Sequence, residues 1–192
     1  MSSYKEIVGQ KITKVSSDPG EPKTGQMWYN STTGTLRGLG IVEAFSSAAP
    51  MITGRQQSGN FGLQTAAVAT SGYTTTRVTN TEEYSGSGWS ASTAYPTALN
   101  ELSGTGTETA GLVMGGRSPP PAAVTTTSEY DGSSWTAGGA LPAGRHSAMA
   151  AGTQTAGLFA LGRTQTGSPQ YHANSYEYNG SSWTAGNSAS GS

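Results

Sequence analysis

Apolar side chains in this chain come in short runs set between stretches of glycine, serine and threonine, and no apolar stripe of helical period and length develops anywhere. Three of these runs align with one another: Gln64-Thr65-Ala66-Ala67-Val68, Glu108-Thr109-Ala110-Gly111-Leu112-Val113 and Gln154-Thr155-Ala156-Gly157-Leu158-Phe159. Each predicts a small, continuously buried strand, ending at Gly115-Gly116 in the second copy and at Leu161-Gly162 in the third. A Thr-rich strand follows and runs into a second landmark: Glu83-Tyr84 to Trp89, Glu129-Tyr130 to Trp135, and Glu177-Tyr178 to Trp183. Asp131-Gly132 and Asn179-Gly180 mark the turn between the Glu-Tyr strand and the Trp strand. A partial third landmark is Gly54-Arg55 against Gly144-Arg145, with Ala98-Leu99 in the middle copy. The tryptophans lie 46 and 48 residues apart, which is room for four short strands per repeat.

The order of apolar strand, Gly-Gly, spacer, Glu-Tyr-Asp and Trp resembles the kelch repeat over residues 41–192. The middle copy matches best, since it keeps both Gly115-Gly116 and Tyr130 to Trp135. The first copy departs with Thr70-Ser71-Gly72, and the third has a single Gly162. The resemblance implies an all-β fold of propeller blades in which Tyr84, Trp89, Tyr130, Trp135, Tyr178 and Trp183 pack as structural core between neighbouring blades. Propellers close with four to eight blades, and three are visible here. The expectation is a truncated propeller whose native chain continues past Ser192, with closure by association with other chains and an open array as alternatives.

Residues 1–40 differ from the rest. They hold all four lysines and a net charge of +2, against −3 for residues 41–192, so two units with different jobs are expected. Asp18-Pro19-Gly20-Glu21-Pro22 reads as a turn-rich connector, and Met27-Trp28-Tyr29, Asn30-Ser31-Thr32-Thr33-Gly34 and Thr35-Leu36-Arg37 predict a β-hairpin. Trp28 and Tyr29 either cap a local core or, with Leu36 and Arg37, anchor the chain to a partner, because a lone hairpin is marginal in water. The pattern Pro…Gly-x-x-Trp-Tyr-Asn-Ser-Thr-Thr-Gly-x-Leu, about 18 residues ending at Leu36, resembles short hairpins common in bacteriophage tail-fibre and other virion proteins.

Composition narrows the function classes. Glycine, serine and threonine make up 42% of the chain and Leu, Ile, Val and Phe about 12%, yet the net charge is −1 and 16 aromatic residues are spread along it, which argues against disorder. Without cysteine there is no disulfide scaffold, thiolate zinc site or thiol nucleophile. Residues 1–15 lack an apolar signal region, no run approaches the length of a membrane helix, and ten basic residues give no nucleic-acid footprint.

Asp18 and Asp131 are the only aspartates, and His146 and His172 have no metal-ligand spacing, so both histidines are expected at the surface or in loops without a partner. Ser128 to Trp135 resembles a sialidase Asp-box with its aspartate displaced, a motif that is structural in any case. No catalytic residue, metal or cofactor is expected. The variable loops that carry Arg117, Pro120, Tyr171 and His172 are the binding candidates. The function these features imply is a phage virion protein of the tail, neck or capsid. It would assemble in the host cytoplasm, form a homo-oligomer on the particle and dock to other virion proteins by its N-terminus. Its propeller would project toward a host-surface glycan or protein, without nucleic-acid binding or membrane insertion. The alternatives are an intracellular kelch scaffold and a lectin-like module.

Overall fold

The computed structural model describes residues 12–21, 26–38, 48–164 and 171–189. The expected unit boundary at 40/41, the lysines at 5, 11 and 23, Gly25 of the hairpin motif, residues 165–170 of the loop that carries Tyr171 and His172, and Ser190 to Ser192 lie outside them. The described residues are all-β: seventeen strands in several sheets, with no helix among them. The chain divides into two compact units, Met1–Ser47 and Ala48–Ser192.

In the first unit, β2 (Met27–Asn30) and β3 (Thr35–Gly38) form the expected hairpin, and β1 (Thr13–Val15) adds to β2 in parallel. The turn is set by Asn30, whose Oδ1 accepts from the backbone N–H groups of Thr32 (3.0 Å) and Thr33 (3.1 Å), while Gly34 supplies a positive φ. Asp18, read from the sequence as part of a connector, organises the unit. Its carboxylate accepts from the Trp28 indole and the Asn30 amide, each at 2.9 Å, and pairs with Arg37. The Asn30 and Trp28 hydrogen bonds hold its carboxyl below the usual carboxylate range.

The second unit contains three four-stranded antiparallel meanders of the same design. Sheet 1 is β4 (Gly59–Leu63), β5 (Ala66–Thr70), β6 (Thr81–Tyr84) and β7 (Trp89–Ser92). Sheet 2 is β8 (Ser103–Thr107), β9 (Ala110–Met114), β12 (Thr127–Tyr130) and β13 (Trp135–Ala137). Sheet 3 is β14 (Met149–Thr153), β15 (Ala156–Ala160), β16 (Ser175–Tyr178) and β17 (Trp183–Ala185). Between β9 and β12, Arg117-Ser118 (β10) pairs with Ala122-Ala123 (β11), so the proline insert is a small hairpin with an exposed Pro119–Pro121 tip.

The first strands β4, β8 and β14 run beside one another, and the sheets pack face to face. These strands are rich in small residues because their backbones nearly touch: a Cβ on Gly104 would lie 2.6 Å from the Asn60 carbonyl oxygen. Small residues recur where large ones cross between sheets. The Phe61 ring occupies the space over Gly111, and Leu112 occupies the space over Gly157. Two aromatic clusters result. Phe61, Val68, Tyr95, Val113, Tyr130 and Trp135 join sheets 1 and 2, and Leu112, Met114, Phe159, Tyr176, Tyr178 and Trp183 join sheets 2 and 3.

A polar lock accompanies each junction. The Tyr130 hydroxyl donates to Glu83 and contacts Ser92 Oγ at 2.6 Å, and the Tyr178 hydroxyl donates to Glu129 at 2.6 Å. Burial and the carboxylate partner push both phenols up to about 12. The indoles close the outer edge, Trp135 Nε1 donating to the Thr93 carbonyl (3.0 Å) and Trp183 Nε1 to Thr127 Oγ1 (2.9 Å).

The glycine doublet is a backbone requirement. Ser71, Gly115 and Leu161 occupy matching places at φ of 58°, 64° and 65°, each followed by a glycine of positive φ. The first and third copies therefore depart from Gly-Gly in side chain and keep its conformation. Leu161 is exposed and makes little packing there, so Leu161→Gly is expected to raise stability by up to about 1 kcal/mol through release of left-handed strain, offset in part by unfolded-state entropy. Urea unfolding of the two proteins checks it, and a lower midpoint for the glycine variant would refute it.

Candidate functional site

The residues just before each first strand converge at one end of the three sheets. Gln57, Glu101 and Ser147 hold matching positive-φ positions, with φ of 58°, 58° and 54°. A backbone chain links them across the sheets: Glu101 N–H donates to the Gln57 carbonyl (2.8 Å) and Ser147 N–H to the Glu101 carbonyl (3.0 Å). Immediately before them stand Gln56, Asn100 and His146, each bridged to the residue after its doublet, respectively Tyr73, Arg117 and Arg163. Repetition of the fold thus stacks three copies of one polar position into a cluster.

Glu101 is its centre. One oxygen faces Arg117 Nη1 (3.2 Å); the other faces His146 Nδ1 (2.7 Å) and Arg163 Nη2 (3.2 Å) and accepts from the Ser147 hydroxyl. Burial alone would raise its carboxyl, but the hydrogen bonds from Ser147, His146 and Arg163 prevail and bring it down to about 2. On the neighbouring side, Arg77 Nε donates to Asn100 Oδ1 (2.6 Å) and to the Arg117 carbonyl (3.0 Å), while the Asn100 amide donates to Gln57 Oε1 (2.7 Å). Gln56, Gln57, Tyr73, Arg77, Asn100, Glu101 and Arg117 enclose an open pocket of about 330 Å³. Two guanidinium groups, Arg117 and Arg163, hold the carboxylate, and Arg77, the amides of Gln56, Gln57 and Asn100 and the Tyr73 phenol line the pocket beside it. That donor-rich set suits a polar or anionic group of a ligand. No group of three or more acidic or histidine side chains placed to hold a metal occurs among the described residues.

The residues singled out in the sequence fall in several places. Arg117 belongs to this cluster; Pro120 lies at the exposed hairpin tip. Tyr171 is 77% exposed, and His172 is half-buried with Nε2 3.4 Å from Thr164 Oγ1. Tyr84, Trp89, Tyr130, Trp135, Tyr178 and Trp183 stack as pairs within their sheets, with ring centroids 5.2, 4.6 and 4.8 Å apart. In the N-terminal unit Trp28 is buried and engaged by Asp18, whereas Tyr29 and Leu36 sit directly opposite each other on the exposed face, next to Met27. Arg37 is held by Asp18.

His146 corrects the sequence reading: it is 1% exposed and bonded to a carboxylate, because the chain carries it from a loop into the junction between sheets 2 and 3. Arg77 and Arg163 stand in the variable loops Tyr73–Arg77 and Arg163–His172, the counterparts of the Arg117 loop, whereas Glu101, Gln57 and Asn100 carry no local motif that marks them as site residues. The available signal was positional, an amide or imidazole residue (Gln56, Asn100, His146) standing in register one place after the Arg55, Leu99 and Arg145 landmark. No protein-family model matches the chain, and no curated protein matches it.

Proposed function

We propose that this chain is a non-catalytic attachment protein of a bacteriophage virion, whose N-terminal unit docks to the particle and whose repeats form a sector of a kelch-like β-propeller. The observation that carries the reading is the repeated junction: three four-stranded meanders with adjacent first strands, joined twice by the same Tyr–Glu lock and the same large-on-small packing. The separate N-terminal unit, with Met27, Tyr29 and Leu36 presented on one face, supports a division between docking and display. The arginine- and amide-lined pocket supports a ligand rich in hydroxyl or acidic groups, as a host-surface glycan is.

Electron microscopy of the phage that encodes this chain tests the reading. An antibody against residues 48–192 is expected to decorate the tail or neck, and deletion of residues 1–40 is expected to remove the decoration and leave the repeat unit free in solution. Purified particles without the chain would overturn it.

A further inference from the structure

The two outer faces of the repeat unit are the two halves of its internal junction. In sheets 1 and 2 the forward face presents an apolar side chain and a glutamate, Val68 with Glu83 and Leu112 with Glu129, and both apolar groups are fully buried by the next sheet. Sheet 3 presents the same pair, Leu158 and Glu177, to a groove of about 460 Å³ lined also by Ala151, Gly152 and Ala156; Glu177 is exposed and Leu158 only half-buried. At the other end, the back face of sheet 1 repeats the receiving side. Tyr84 matches Tyr130 and Tyr178, but among the described residues it has no carboxylate to donate to and turns its hydroxyl to the Gly86 carbonyl at 2.9 Å. The edge contact is already made there, with Trp89 Nε1 donating to the Ala49 carbonyl (3.2 Å) as Trp135 does to Thr93.

We infer that the forward face of sheet 3 receives the back face of sheet 1 from a second copy of this chain, Glu177 accepting from Tyr84 and Leu158 packing over Ala67. The fit in volume supports this occupant. Where the internal junctions set Phe61 or Thr105 against the following sheet and glycine at Gly111 or Gly157, this junction sets the smaller Ala151 against the larger Ala67. Because each copy carries both halves, two copies satisfy both ends at once and close six sheets into a ring, within the range in which propellers close. The inference rests on the propeller part of the proposed function and not on the virion assignment.

Sedimentation of the purified 192-residue chain through a dilution series tests it, with negative-stain images of the same material. The expected result is a species of twice 19.5 kDa with a six-lobed projection. Leu158→Asp and Glu177→Lys lie on the outer face, so both are expected to keep the wild-type circular-dichroism spectrum and the melting temperature of the dilute monomer while weakening association about 30-fold or more. A monomer at every concentration, a dimer indifferent to both variants, or open chains of more than two copies would each overturn the pairing, and the monomer would leave the propeller reading standing. A variant-sensitive dimer with no ring in projection would overturn the propeller reading and the closure with it.

Discussion

Glu82→Ala is expected to destabilise the Ala48–Ser192 unit by about 3–5 kcal/mol, a fall in Tm of roughly 10–15 °C for a unit of this size. Glu82 and Arg55 form a buried ion pair at 2.5 Å, their side chains 2% and 0% exposed. Arg55 also donates to the Ala69 carbonyl at 2.9 Å, and Glu82 accepts from the N–H of Ile52 at 2.8 Å. Removing the carboxylate strands a guanidinium with no route to water.

The repeats themselves supply the control. The positions matching Arg55 and Glu82 are Leu99 and Ser128 in sheet 2, where no ion pair exists, and Arg145 and Tyr176 in sheet 3, where the hydroxyl accepts at 3.1 Å and the ring lies under the guanidinium at 5.1 Å. Arg55→Leu combined with Glu82→Ser copies the middle repeat and is expected to return to within about 1 kcal/mol of wild type, since a buried pair adds little over a well-packed apolar replacement. Calorimetric melting of wild type, both single variants and the double variant measures the coupling. Additive losses in the double variant would show that the pair is not the stabilising unit.

The second large effect is acid sensitivity centred on Glu101. Its carboxyl titrates at about 2 in the folded protein against 4.5 for the free group, and a lowered folded value contributes stability that is complete above the unfolded value. The stabilisation amounts to about 3 kcal/mol at neutral pH and is lost progressively as pH falls from about 5 to about 2. Glu101→Gln is therefore expected to cost about that much at pH 7 and almost nothing near pH 2. Urea unfolding of the two proteins at intervals across this range is the test, and a gap that stays constant down to pH 2 would refute the assignment. The same variant leaves Arg117 and Arg163 without their carboxylate.

Much of the fold was legible because each repeat writes its strands in local chemistry. Ala-Gly-Leu-Val-Met must be buried on both faces, Glu-Tyr and Trp flank a turn, and the turn is fixed by a side chain next to it. Asp131 Oδ1 accepts from the N–H groups of Ser133 (2.8 Å) and Ser134 (2.7 Å), and Asn179 does the same for Ser181 (3.0 Å) and Ser182 (2.9 Å). The first strand of each sheet was the least legible. Gly59–Leu63, Ser103–Thr107 and Met149–Thr153 carry no strong apolar alternation in sequence, because glycine and small residues stand where neighbouring backbones come close, as Gly104 does against Asn60.

Asp18 and Glu101 show the same boundary for single residues. Asp18 sits in a sequence of turn formers and looks like a linker; its role appears only when Trp28, Asn30 and Arg37, ten to nineteen residues away, are folded back onto it. Glu101 and His146 are forty-five residues apart and meet through the stacking of repeats.

What the sequence determined by itself, then, was the all-β character, the period and the internal strands and turns of each repeat, since propensity, turn chemistry and burial pattern act over a few residues. Only the tertiary structure decided which sheet faces meet, which glycines admit a neighbouring backbone, and which polar residues form one cluster. Those outcomes depend on contacts made one whole repeat apart, where an atom a few ångströms away leaves no mark on its neighbours in the chain.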